Sequence, residues 1–279
     1  MTPLLVPTGY GEIAVHLSGR APREAPGLLL LHANPGDHRD YDAIVPALAA
    51  DWAIAAADWP GYGASTVSDP ELITVDALAE VAVRVAKALA RNGFGALTVL
   101  GNSAGGYAAV RLAQAEPDLV HGLVLVQSAG FAPRNLATRA YFRFVASALV
   151  ARRYVVPNAR MYLGPLDRGE LRAIFERTGA VPGDPVRLAV YRSLWRSFDS
   201  PRFDLTADGQ LVPGLPVQVV WGRNDPTNPW FANRAAVARA LPQATVTVLP
   251  TRHEPFAEAP GLFLDSVREF LGACAGMRP

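Results

Sequence analysis

Ser103, Asp225 and His253 are side chains whose types and spacing fit nucleophilic catalysis. Ser103 lies in Gly101-Asn102-Ser103-Ala104-Gly105, a match to Gly-x-Ser-x-Gly. A serine hydroxyl is a poor nucleophile near neutral pH. It needs a base to take its proton, usually His, and the His needs a carboxylate to fix its tautomer and stabilise its charged form. Asp225 and His253 follow in the order Ser, Asp, His, which suits a serine presented on a tight turn of an α/β sheet. Taken bare, Gly-x-Ser-x-Gly is as often a structural turn as a nucleophile site, so the flanking elements decide. Neither phosphate-loop spacing, Gly-x-Gly-x-x-Gly or Gly-x-x-x-x-Gly-Lys-[Ser/Thr], is present.

Those flanks are a strand and a helix. Thr98 to Leu100 is short, apolar and β-branched, and Tyr107 to Ala115 is rich in Ala and Leu. A serine on so sharp a bend is forced outward at the strand's end, and the glycines two positions away remove Cβ clashes. The Ala104 N–H then points at whatever Ser103 attacks, with the helix behind it adding partial positive charge. A second oxyanion donor is expected from the loop after the apolar run Leu28–Leu31, at the backbone N–H of Asn34. The Asn34 side-chain amide either helps or caps the turn before Pro35. Val217–Trp221 reads as a strand ending before Asp225, and Thr245–Leu249 as one ending before His253.

Other titratable residues have competing readings. Glu254 is a rival acid, but as the neighbour of His253 it is poorly placed to orient that ring. Asp58 precedes Pro60-Gly61 and reads as turn-forming. His121 precedes a strand and reads as a surface residue, and His16 within a strand reads as packing or solvated. His38, in the loop near the expected mouth of the site, either touches substrate or is simply solvated.

Further elements extend the pattern. Ile13–Leu17 and Trp52–Ala57 read as strands, with Gly9-Tyr10-Gly11 as a turn, and Tyr41, Ile44, Val45 and Leu48 fall at helical spacing. Val75–Arg91 is a helix with the stripe Leu78, Val81, Val85 and Leu89, closed by Gly93. Gly122–Gln127 is another strand. Alternating strands and helices argue for a parallel sheet covered on both faces. The alternation breaks from Phe131 to Pro213, where stripes such as Tyr141, Val145 and Leu149 indicate helices only. This stretch holds 13 of the 26 basic residues and 7 of the 25 acidic ones. It reads as a helical insertion over the sheet. Trp230–Leu241 reads as a helix, and a last helix carries Phe263, Val267, Phe270, Leu271 and Cys274.

Composition narrows the partners. A net charge of +1 points to neither nucleic acid nor a membrane surface. One cysteine, Cys274, excludes an internal disulfide framework and a cysteine-based metal site. The first residues lack the basic and apolar regions of a secretory signal, and a cytoplasmic protein is expected.

With these residues placed, the chain resembles the α/β-hydrolase superfamily over nearly its whole length. His32-Ala33-Asn34-Pro35-Gly36 is similar to its His-Gly-x-Pro-Gly loop, with Ala33 departing from the usual Gly. Asp58-Trp59-Pro60-Gly61-Tyr62-Gly63-Ala64-Ser65 is similar to its Asp-x-x-Gly-x-Gly-x-Ser segment. His253-Glu254-Pro255 through Glu258 and Pro260 is similar to its His-x-Pro-x-x-Glu-x-Pro ending. The resemblance implies a mostly parallel eight-stranded sheet with helices on both faces. It implies a core of residues 1–130 and 214–279 and a helical cap of residues 131–213.

The activity it implies is a cofactor-free, metal-free carboxylic ester hydrolase acting on a small molecule. Ser103, Asp225 and His253 would form the triad, and Asn34 and Ala104 the oxyanion hole. His38, Tyr141, Trp195 and Phe198 are the candidate substrate contacts, with Phe131 a further lining candidate. Two alternatives stand. The Gly101-Asn102-Ser103-x-Gly105-Gly106 and Trp221–Asp225 motifs resemble hydrolases that cut a carbon–carbon bond in meta-cleavage products. A binding protein that keeps the fold and turns over little is the other. Dehalogenase and epoxide hydrolase relatives use an Asp nucleophile, and Ser103 stands against both.

Overall fold

The computed structural model describes residues 2–276. Eight strands form one sheet in the order β1-β2-β4-β3-β5-β6-β7-β8. They are β1 (Leu4–Thr8), β2 (Gly11–Gly19), β3 (Gly27–Leu31), β4 (Ala53–Ala57), β5 (Leu97–Asn102), β6 (Val120–Val126), β7 (Val217–Gly222) and β8 (Thr245–Leu249). β2 pairs antiparallel with β1 and β4, and every other pairing is parallel. The sequence reading did not locate β1. It is a short edge strand with two exposed residues and a proline, so it lacks the apolar run that marks a central strand. His121 also differs from expectation. It lies inside β6, half-buried, with Nε2 3.1 Å from Thr98 Oγ1.

Among the described residues ten helices accompany the sheet: α1 (Val45–Leu48), α2 (Val75–Arg91), α3 (Ala104–Ala115), α4 (Leu136–Ala146), α5 (Ala148–Tyr162), α6 (Gly169–Ala180), α7 (Pro185–Ser197), α8 (Trp230–Ala240), α9 (Pro255–Glu258) and α10 (Pro260–Gly276). The helix expected around Tyr41–Leu48 is instead a 3-10 turn at His38–Tyr41 followed by the single turn α1. Pro46 sits at the start of α1, where a missing N–H costs nothing, but upstream it prevents one continuous helix. α2 matches its expected bounds. Thr74 caps its first turn by accepting from Ala77 N, and Gly93 follows its end at φ +88°.

Side chains alternate across a strand, and the run Leu28–Leu31 divides accordingly. Leu29 and Leu31 join the core shared with α2, α3 and α8, and Leu28 and Leu30 join the one shared with α9 and α10. The sheet is therefore sandwiched between two apolar layers. Cys274 packs in the second layer, where a Cβ at Gly122 would strike its sulfur.

The chain leaves the sheet after Val126 and returns at Val217, with α4–α7 between. The single stripe through Tyr141, Val145 and Leu149 does not form. Ser147 separates α4 from α5 in extended conformation, and Leu149 is exposed. Val145, Ala151, Val155, Val181 and Tyr191 form a small core within this segment. No helix among the described residues is long and apolar enough to cross a membrane.

Candidate active site

Ser103 sits between the last residue of β5 and the first of α3, at φ +53° and ψ −115°. A left-handed φ is unfavourable for a residue with a Cβ, at roughly 1–3 kcal/mol, and persists only where neighbours enforce it. They do so here. Ser103 N donates to Val126 O at 3.0 Å, and Ser103 O accepts from Gly106 N and Tyr107 N. A Cβ at Gly105 would collide with the carbonyls of Leu31 and His32, and one at Gly101 with the Gly105 backbone. Both glycines are required by close approach, and the bend they permit is the one that exposes the hydroxyl.

Asp225 follows β7 and is 2 % exposed. Its Oδ1 accepts from Thr227 N at 2.8 Å and Thr227 Oγ1 at 2.7 Å. Its Oδ2 meets His253 Nδ1 at 2.5 Å and accepts from Gln127 Nε2 at 2.6 Å. Burial pushes its pKa upward, but the His253 charge and these donors outweigh that and hold it below the usual carboxylate value. Gln127 was not singled out in the sequence. The available signal was its position just past β6, at the same rim as Ser103 and Asp225.

His253 follows β8 on a loop clamped from both sides. Its N–H donates to Tyr162 O of α5, and its carbonyl accepts from Asn102 Nδ2 at 3.2 Å. Fixing Nδ1 on a carboxylate leaves Nε2 as the basic nitrogen. Ser103 and His253 line one and the same cavity. Glu254 does not reach the imidazole's carboxylate position. Both its oxygens are buried without a hydrogen-bond partner, and burial drives its pKa well above the ordinary value, reinforced by Asp40.

Asn34 and Ala33 also line the cavity. The Asn34 side chain is already engaged, accepting from Tyr62 Oη at 2.7 Å. Its backbone N–H is therefore the better donor candidate. Ala104 is the first residue of α3, and N–H groups of a first helical turn lack intrahelical acceptors.

Tyr141, Trp195 and Phe198 line the cavity, joined by Phe142, Phe203 and Asn158. Phe131 does not line it and is buried in the core instead. His38 is the other correction. The turn capped by Asp37 folds His38 away from the cavity, where its N and Nδ1 bond Asp58 Oδ1 at 2.8 and 2.9 Å. Its ring stacks on His16 at 3.4 Å, and His16 Nε2 meets Asp58 Oδ2 at 3.0 Å. Asp58 does serve the turn, accepting from Ala64 N. These three residues have metal-ligand atoms within 4.8 Å of one another. Each Asp58 oxygen already takes part in two hydrogen bonds, to His38 N and Nδ1 on Oδ1 and to His16 Nε2 and Ala64 N on Oδ2.

No Asp, Glu, Lys or Arg among the described residues lines this cavity. Several arginines of the inserted segment are engaged elsewhere, as with Arg139 and Arg143 on Asp199.

The sequence pattern of the alpha/beta hydrolase fold family matches residues 26–260. A pimeloyl-[acyl-carrier protein] methyl ester esterase of Aeromonas hydrophila is 24% identical over 273 residues, covering 89% of this chain and 96% of that protein. A serine hydrolase-like protein of Danio rerio is 29% identical over 132 residues, 47% of this chain, and the match spans only 39% of that relative. Among solved structures, a thermophilic esterase from Thermogutta terrifontis superposes with a TM-score of 0.80 at 22% identity, covering 99% of this chain and 100% of that one. The structural likeness is one of fold.

Proposed function

The chain belongs to the alpha/beta hydrolase fold family, and from that premise we propose that it is a serine hydrolase of a small neutral ester, thioester or lactone. Ser103 Oγ attacks the acyl carbon while His253 Nε2 takes its proton. The oxygen of the tetrahedral intermediate receives the N–H groups of Asn34 and Ala104. Collapse expels the alcohol, thiol or ring oxygen, which takes the proton back from His253. Water then attacks the acyl-enzyme by the same route, with Asp225 holding Nδ1–H and stabilising each imidazolium.

The observation that carries this reading is the 2.5 Å contact of His253 Nδ1 with the buried Asp225, on the wall of the cavity that Ser103 also lines. The wall's lack of charged side chains supports an uncharged substrate, since a buried carboxylate without a cation is costly. The residues 131–213 would act as the cap that closes this cavity. The Aeromonas relative's described action on a methyl ester agrees in bond type.

The carbon–carbon alternative rested on Asn102 and on Trp221–Asp225. Asn102 Nδ2 bridges Val126 O and His253 O, and Trp221 is buried with its Nε1 on Asn228 O. Both thus have structural work, and ester cleavage is the reading proposed. Turnover of a panel of neutral aryl and alkyl esters tests it. Ser103→Ala should lower kcat by at least ~1000-fold. Equal turnover by the variant overturns the proposal.

A further inference from the structure

Helix α5 runs between two apolar cores. Ala151 and Val155 belong to the small core of the inserted segment, whereas Ala159 and Tyr162 join the layer that also holds Leu249, Phe256 and Ala257. Pro157 lies between the two pairs, where its missing N–H removes one bond from the helical ladder. Leu249 ends β8 and Phe256 belongs to α9. The last turn of α5 therefore shares its apolar layer with residues on both sides of the His253 loop.

Polar contacts join the same two pieces. The final carbonyls of a helix lack partners within it. Two of those of α5 are taken by the loop that carries the base. Met161 O accepts from Arg252 Nη1 at 2.6 Å, and Tyr162 O accepts from the His253 N–H at 3.1 Å. The Tyr162 ring also meets the imidazole, with centroids 5.4 Å apart and planes at 60°. Tyr162 is itself held in place. It is 6% exposed, and its hydroxyl shares a hydrogen bond with Thr178 of α6. Asp225 fixes His253 at Nδ1 alone. A ring held by one hydrogen bond can swing about that contact, and a base must keep its other nitrogen within reach of the nucleophile. A packed neighbour removes that freedom.

We propose that Tyr162 is a positioning residue for the hydrolysis, keeping His253 Nε2 directed at Ser103 through both its carbonyl and its ring. The carbonyl fixes the main chain of His253 at the N–H, as Asn102 does at the carbonyl oxygen. The ring stops the imidazole from pivoting on Asp225. The partial negative charge at the C-terminus of α5 also favours the imidazolium formed in each half of the reaction. The inference rests on the reading that His253 activates Ser103.

The test uses two substitutions and two readouts. Tyr162→Leu removes the ring, and Tyr162→Phe keeps it while removing the hydroxyl. The rate of Ser103 labelling by diisopropyl fluorophosphate reads activation of the serine without knowledge of the substrate. Tyr162→Leu should slow it by about 10- to 100-fold, the scale of a displaced reacting group, and Tyr162→Phe should stay close to wild type. The low-field proton resonance of the His253 Nδ1–H bonded to Asp225 reads the position of the ring directly. It should be sharp in wild type and Tyr162→Phe and broadened by exchange with water in Tyr162→Leu. Tyr162 also lines the cavity, and a role confined to touching substrate would leave that resonance unchanged. An unchanged resonance in folded Tyr162→Leu, a wild-type labelling rate in it, or equal slowing in Tyr162→Phe overturns the inference and leaves the hydrolase reading standing. If Tyr162→Leu does not fold, Arg252→Met decides. It frees Met161 O and should slow labelling severalfold, and a wild-type rate overturns the inference. Absence of Ser103 labelling in wild type removes the hydrolase reading and this inference with it.

Discussion

Arg177 of α6 donates to Asp40 of the core at 2.8 Å and stands 3.6 Å from Asp37. It is the cation that ties the inserted helices to the loop following β3, the loop that carries Asn34. Both aspartates are buried. Burial raises the Asp40 pKa to about 7, with Asp37 adding to the rise and Arg177 opposing it. Arg177→Met should therefore destabilise the fold by about 1–3 kcal/mol, or roughly 2–8 °C in Tm, when Asp40 is ionised. The loss should be larger at pH 8 than at pH 5, where Asp40 is neutral and needs no cation. A loss independent of pH contradicts this account.

Glu254 sets a second pH dependence. Its folded pKa lies well above its ordinary value. An acid of this kind contributes stability that is fully present below its unfolded pKa, about 4.5, and is lost as pH rises toward the folded value. Asp40 acts in the same direction between about 4 and 7. Glu254→Gln keeps the shape and removes the ionisation. Its Tm relative to wild type should rise steadily from pH 5 to pH 9, measured by calorimetry. A constant difference across that range contradicts the assignment.

Ser103 is held in a conformation glycine adopts readily. Ser103→Gly should raise stability by ~1 kcal/mol, about 2–4 °C in Tm, while abolishing turnover. A lower Tm means the elbow is not strained.

Asp225→Asn preserves the shape of the carboxylate but removes the charge that fixes the His253 tautomer. A fall in kcat on the order of 10⁴-fold is expected, with a folded protein by circular dichroism. Gln127→Leu removes one donor from Asp225 Oδ2 and should cost about tenfold, roughly the worth of a hydrogen bond to a charged group. Full activity in Gln127→Leu would show that Thr227 and His253 suffice to hold Asp225.

The residues brought together at the rim were those with a local signature. Ser103 announces itself through two glycines needed for close approach, and Asp225 and His253 through apolar strands that end just before them. The central strands were legible for the same reason, since burial on both faces demands an unbroken apolar run such as Leu28–Leu31. β1 was not legible because an edge strand with one exposed face needs no such run. The break at Ser147 was hidden because residues on both sides keep an apolar spacing that a single helix would also satisfy. His38 and Gln127 were misread or passed over because their partners, Asp58 and Asp225, lie 20 and 98 residues away in sequence, and only the fold sets such pairs. The neutrality of the cavity was equally hidden. The inserted segment is strongly basic, yet none of its arginines lines the cavity, and several pair with acids such as Asp199 and Glu71.

The most direct test of the central claim is intact-mass measurement after exposure to a fluorophosphonate, followed by peptide mapping. The account expects one adduct per chain, located on Ser103, formed rapidly by wild type and slowed by orders of magnitude in His253→Ala. Labelling at another residue, or equal labelling rates with and without His253, would contradict it.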